Sequence, residues 1–158
     1  MKIIPNNLFF SMVLVVLISC QKEGITLKDN DYLIFGFYAG ECFENCVSIY
    51  KLSAKEIYKN YKEELPYENT FYNGEYKALH TSDFDLTKDL LLDFPLALLD
   101  ENNSKIGDPD GHDQGGLYIE YSFGSERKFW LIDTSKEVVP IKYHKFIDKL
   151  GEKLRLLH

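Results

Sequence analysis

From Tyr32 onward the apolar and aromatic positions at first suit a strand, and the chain closes with the period of a helix. Tyr32 to Ala39 (YLIFGFYA) is aromatic and β-branched with Leu33, Phe35 and Phe37 on one face, which predicts a strand. Val47 to Leu52 predicts a second strand, and Ile57 to Tyr61 a short third one after the polar turn Ser53 to Glu56. Pro66 to Asn73 reads as loop and Glu75 to Leu79 as a fourth strand. Ser82, with Asp85 three residues later, suits a capping box that opens a helix whose apolar stripe is Leu86, Leu90 and Phe94. Pro95 ends or kinks that helix, and Leu96 to Leu99 forms one further turn.

Glu101 to Gly116 is a long turn-rich segment with Gly107, Pro109, Gly111, Gly115 and Gly116. Leu117 to Phe123 and Lys128 to Asp133 flank a Gly124-Ser125 turn and form the clearest hairpin of the chain. Pro140 suits the first turn of a last helix, in which Tyr143, Phe146, Ile147, Leu150, Leu154 and Leu157 recur at helical spacing. With no internal repeat, the pattern predicts one α+β domain: an antiparallel sheet of about 5–6 strands with two helices packed on one face.

The amino end has a different pattern. Leu8 to Ile18 is an apolar run of eleven residues broken only by Ser11, too short for the roughly 20 residues that span a bilayer, and it reads as the core of a secretory signal. Leu17-Ile18-Ser19-Cys20 resembles the lipobox of bacterial lipoproteins, with a branched apolar residue at −3, a small residue at −1 and Cys at +1. The resemblance implies a signal peptide over 1–19, a lipidated tether over 20–30 and a domain over 31–158. It also implies diacylglycerol and a fatty acid such as palmitate on Cys20, because only a thiol is nucleophilic enough to accept the lipid. Two or three acyl chains hold a protein durably where one does not. An ordinary cleaved signal with a chance Cys, or an uncleaved buried segment, would leave Cys20 bare. Gln21 stands where lipoproteins kept in the inner membrane commonly carry Asp, so the same resemblance points to the outer membrane of the cell envelope. Gln21-Lys22-Glu23 has a single acid and leaves the periplasmic or surface face open.

Composition narrows the function classes. The 158 residues carry 18 Lys or Arg against 25 Asp or Glu, a formal charge of −7 with pI near 5.1, so the basic field that nucleic acid requires is missing. Apolar residues at 45% and aromatic residues at 15% predict a real core. Cys42 and Cys46 lie between the first two predicted strands, where opposed Cα atoms about 4.5–5.5 Å apart suit a disulfide, and an exported compartment lets it form. Buried free thiols and a metal or redox pair are the other readings. Cys42-Phe43 with Cys46 and Tyr50, the late Gly-Gly hairpin and the C-terminal helix resemble uncharacterised bacterial envelope domains with a C-F-x-x-C motif, a group that implies no activity.

Asp108, Asp110, His112 and Asp113 gather around Gly111 and are the candidate metal ligands, with Ca²⁺ the ion such oxygens suit. An EF-hand starting at Asp108 would need Glu at 119, which is Ile119, and turn chemistry explains the same residues. Tyr58, Tyr61, Tyr67, Phe71, Tyr72 and Tyr76 crowd one stretch, either as core and edge-strand residues or as rings for a sugar or protein ligand. His80, His112, His144 and His158 are scattered, and no hydrolase or phosphate-loop signature occurs. The expected function is therefore a lipid-anchored envelope binding or scaffolding module that takes an unknown protein or glycan ligand, with no cofactor and no catalytic residues assigned. Its rivals are a small enzyme or metal-dependent hydrolase using the Asp108 to Asp113 loop, and an inhibitor or immunity protein.

Overall fold

A computed structural model describes residues 24–157; the predicted signal, the lipobox, Cys20 and His158 lie outside the described residues. The α+β class is as the periodicity predicts. Strands β1 (Tyr32–Tyr38), β2 (Val47–Leu52), β3 (Ile57–Asn60) and β4 (Tyr76–Ala78) form a meander on one side. Helix α1 (Thr81–Thr87) leads through 3₁₀ turns to β5 (Lys105–Ile106), the hairpin β6 (Gly116–Phe123) and β7 (Glu126–Asp133), and α2 (His144–Leu156). The sheet has seven strands in the order β4-β3-β2-β1-β6-β7-β5, one more than the expected upper count. The added strand is β5, which lies inside the predicted turn segment and pairs parallel with β7 through Lys105 and Ile106. Two residues have no readable period, so this strand exists only because Leu131 and Ile132 are there to pair with it.

One face carries the main core. Leu33 and Phe35 of β1, Leu117, Ile119 and Tyr121 of β6, and Trp130 and Ile132 of β7 meet Tyr143, Phe146, Ile147, Leu150 and Leu154 of the C-terminal helical segment, all buried. Phe94, fully buried, sits between Tyr121, Trp130 and Phe146 at centroid distances of 5.6, 6.5 and 5.7 Å. Leu90 and Phe94 fill the core as their spacing predicts, but Leu86 is exposed. The α-helix ends at Thr87 and Lys88–Asp93 is 3₁₀, whose tighter turn rotates the stripe away from residue 86. The helix also starts earlier than Ser82. His80 is its N-cap, its ring accepting from the Ser82 N–H, while the Asp83 carboxylate accepts the His80 N–H at 3.1 Å. The predicted box is real in kind and displaced by two residues, because His80 supplies the acceptor expected from Ser82.

The opposite face is covered by chain rather than helix. Residues 61–75 lie over Ile34, Tyr38, Ile49, Tyr118 and Leu131, packing Leu65 and Tyr72 onto them. Asn60, 4% exposed, pins both ends of this cover. Its carboxamide oxygen accepts the N–H groups of Lys62 (3.2 Å) and Glu75 (3.0 Å), and its nitrogen donates to the Tyr72 hydroxyl (2.8 Å).

The tether expected over residues 20–30 is in part folded. Gly24 packs against the carbonyls of Leu91 and Leu92, the Ile25 N–H donates to Leu91 O at 2.7 Å, and Leu27 is buried. Ile25 and Leu27 bring enough apolar surface to dock the segment, which outweighs the polar residues beside them.

Candidate functional site

Strand alternation decides what the covered face contains. With Leu117, Ile119 and Tyr121 turned to the helices, β6 must turn Tyr118 and Glu120 the other way. Glu120 is fully buried, and it is satisfied there. Arg127 donates to it from Nε (2.8 Å) and Nη2 (2.7 Å), Tyr32 donates at 3.1 Å, and the Tyr118 hydroxyl donates to its second oxygen. The guanidinium in turn lies 4.1 Å from the centroid of Phe71, so the covering segment closes over a matched pair. A buried carboxylate met by one cation and two hydroxyls is a positioning device, because it fixes the ring of Tyr32.

Beside Tyr32 the sheet opens into a cleft of about 420 Å³ whose walls include Lys51, Tyr58 and Tyr76. Lys51 stands opposite Ile34 on β1 and Tyr58 on β3, which sets it between rings from three strands. Its ammonium lies 4.2 Å from the Tyr32 ring centroid and 5.7 Å from that of Tyr76. Among the described residues no carboxylate lies within 4.0 Å of this ammonium, and no hydrogen-bond acceptor takes its protons. The acids at the rim are committed elsewhere. Asp31 accepts the N–H groups of Gly124 (2.9 Å) and Lys28 (2.8 Å), which hold its carboxyl below the usual carboxylate range. Asp29 pairs with Lys55 at 3.0 Å, and the Tyr58 hydroxyl donates to Glu56.

Tyr76 adds a second unmet group. Its hydroxyl oxygen is buried and, among the described residues, has no hydrogen-bond partner. Burial, and then the charge of Glu120, push that hydroxyl well above its ordinary pKa, so it is a neutral donor at any physiological pH. Gly74 makes room for the ring, since a Cβ there would lie 2.6 Å from Tyr76 Cζ. A cation without an ion-pair partner among the described residues, set beside aromatic faces, supplies recognition chemistry.

The acidic glycine loop is built differently. Asp110 accepts the Gly40 N–H (2.8 Å) and the Gly115 N–H (3.1 Å), and Asp108 pairs with Lys105 at 3.0 Å. Asp110 and Asp113 hold φ of 61° and 57°, the left-handed region that Asp tolerates in turns. The organiser is a residue outside the predicted ligand set. Asp133, 1% exposed, accepts from the N–H groups of Asp108 (2.9 Å) and Ser135 (2.7 Å) and from the Gln114 amide (3.3 Å). His112 is exposed, His80 caps α1, and the His144 ring lies against Val139 O at 2.8 Å. Among the described residues no group of three or more His, Cys, Asp or Glu side chains could hold a metal ion.

Cys42 and Cys46 are placed at disulfide distance, with Cα atoms 5.7 Å apart, at the tip of the β1–β2 hairpin. Phe43 projects from this closed loop fully exposed. In the aromatic stretch, Tyr72 is core, Tyr58 and Tyr76 are cleft walls, and Tyr61 and Tyr67 face solvent. Sequence pattern points to Tyr58 and Tyr76 as ligand candidates but not to Tyr32, Lys51 or Glu120. The one signal it holds for the rest is Glu120, a lone acid among the apolar positions of β6. No protein-family model matches the chain, and no curated protein matches it.

Proposed function

We propose that the chain is a lipid-anchored protein of the bacterial envelope, held in the outer membrane through Cys20, whose domain is a binding module with the Lys51 cleft as its ligand site. The observation that carries the binding reading is the Lys51 ammonium, without an ion-pair partner among the described residues, held beside the Tyr32 and Tyr76 rings in an open cleft. The lipobox resemblance of Leu17 to Cys20 supports the anchor, and a cysteine pair at bonding distance suits an oxidising compartment. Anchoring at Cys20 sets the geometry. The four residue steps from Cys20 to Gly24 reach at most about 14 Å, so the domain rides against the lipid surface.

Two measurements test the two halves. Cys20→Ser moves the protein out of the membrane fraction or stalls its processing, and unchanged fractionation refutes the anchor. NMR titration of the full-length protein with hydroxylated and anionic small molecules shifts the resonances of Tyr32, Lys51 and Tyr76 together. Shifts confined to other surfaces refute the cleft.

A further inference from the structure

We propose that Asn73 is a site of spontaneous covalent modification, where the Gly74 amide nitrogen closes on the Asn73 carboxamide and water then opens the ring to aspartate or isoaspartate. This chemistry is separate from ligand binding and needs no partner but water.

Glycine follows an Asn or Asp at two places in the chain, Asn73-Gly74 and Asp110-Gly111. The glycine matters because it puts no Cβ beside the attacking nitrogen. The fold treats the two pairs oppositely. Both Asp110 carboxylate oxygens accept backbone N–H groups, from Gly40 (2.8 Å) and Gly115 (3.1 Å), and the Gly111 N–H donates to Asp108 O at 3.0 Å. Electrophile and nucleophile are both held there, and an ionised carboxylate offers no good leaving group. Asn73 is exposed and outside any strand or helix, and among the described residues neither its carboxamide nor the Gly74 N–H has a hydrogen-bond partner. No protein hydrogen bond has to break before the nitrogen meets the carbonyl carbon.

In the first step the bond from Gly74 N to Asn73 Cγ forms, the Cγ–Nδ2 bond breaks, and the amide proton leaves with Nδ2 as ammonia. Water then cleaves the succinimide. Attack at Cγ gives aspartate, whereas attack at the main-chain carbonyl leaves the chain running through Cβ and Cγ as isoaspartate. The second product adds one methylene, about 1.5 Å, to the backbone between Tyr72 and Glu75. Both of those residues are fastened. The Tyr72 N–H donates to the Tyr118 hydroxyl (3.0 Å) and the Tyr72 hydroxyl accepts from Asn60 Nδ2 (2.8 Å), while the Glu75 N–H donates to Asn60 Oδ1 (3.0 Å) and Glu75 O accepts the Tyr61 N–H (2.9 Å). The cover formed by residues 61–75 cannot take up the added length with all four contacts kept.

The test is peptide mapping by mass spectrometry of the full-length protein aged in warm, mildly alkaline buffer, folded and in urea. In the folded protein Asn73 converts at nearly its rate in urea, and several-fold faster than Asn102 and Asn103, which are also exposed but precede Asn and Ser. Asp110 isomerises more slowly folded than in urea. Conversion of Asn73 only in urea, or no faster than that of Asn102 and Asn103, overturns the site, and equal rates for Asp110 in the two states overturn the contrast between the two glycine pairs. Asn73→Ser, which carries no carboxamide, ages without change at this position. The isoaspartyl form, separated by chromatography, unfolds about 4 °C or more below the wild type, whereas Asn73→Asp, with the charge but not the added methylene, stays within about 1 °C of it. An isoaspartyl form as stable as Asn73→Asp overturns the strain on the cover and leaves the site standing.

Discussion

Replacing Arg127 with Met isolates the energetics of the buried carboxylate. Removing one partner of a fully buried ion pair costs about 3–5 kcal/mol, because the other charge is left without compensation. Two features reduce the figure here. The Arg127 side chain keeps 39% exposure, so water reaches the vacated position, and the hydroxyls of Tyr32 and Tyr118 still donate to Glu120. The expected loss is therefore about 2 kcal/mol, or about 7 °C in unfolding temperature for a domain of this size. Urea unfolding of the wild type, Arg127→Met, Glu120→Gln and the double variant measures it. The double variant is less destabilised than the two single losses added, with a coupling of about 1 kcal/mol, since Glu120→Gln removes the charge that Arg127 was needed to meet. A single-variant loss below about 0.5 kcal/mol with simple additivity would refute the claim that this pair holds the covered face. Because Glu120 also fixes the Tyr32 ring, the Lys51 resonances should move in Arg127→Met.

Other regions of the fold give independent expectations. Gly36→Ala loses about 3 kcal/mol or more in denaturant unfolding, because its Cβ would lie 2.3 Å from Ser48 O and 2.6 Å from the Ile49 Cα and so force β1 and β2 apart. Replacing Cys42 and Cys46 together with Ser costs about 2 kcal/mol, the loop-entropy value for so short a closure, and a loss approaching 5 kcal/mol would mean that the bridge constrains more than its own hairpin. Asp93 accepts from Lys145 and Lys149, which hold its carboxyl below the ordinary 3.8. A depressed folded value adds stability that is present above the ordinary 3.8 and drains away as the pH falls through the lowered value, so Asp93→Asn is less stable than wild type at pH 7 and the difference shrinks as the solution is acidified below 3.8. Calcium leaves the unfolding temperature within about 1 °C, since Asp110 and Asp133 are occupied with backbone N–H groups, and a larger rise abolished by chelator would contradict this.

Six of the seven strands and the C-terminal helix follow from periods that neighbouring residues impose on themselves. Leu33, Phe35 and Phe37 alternate, Gly124-Ser125 makes a two-residue turn with Gly124 at φ 58°, and Phe146 to Leu154 repeat at helical spacing. These are short-range effects of backbone geometry and side-chain direction, and a single stretch of chain contains all the information they need. The cleft is of another kind. Lys51 reads as a solvated lysine, Tyr76 as an edge-strand ring and Tyr32 as the first residue of a strand, and each reading is correct locally. Their meeting depends on the register that sets Ile34 opposite both Lys51 and Glu120, and on Asn60 fastening the cover whose Tyr72 packs on the sheet. Strand β5 and the role of Asp133 are absent from the local pattern for the same reason, since their partners lie far along the chain. Periodicity acts within a few residues, whereas desolvation and charge pairing act across whatever the tertiary fold brings together, and the candidate site belongs to the second.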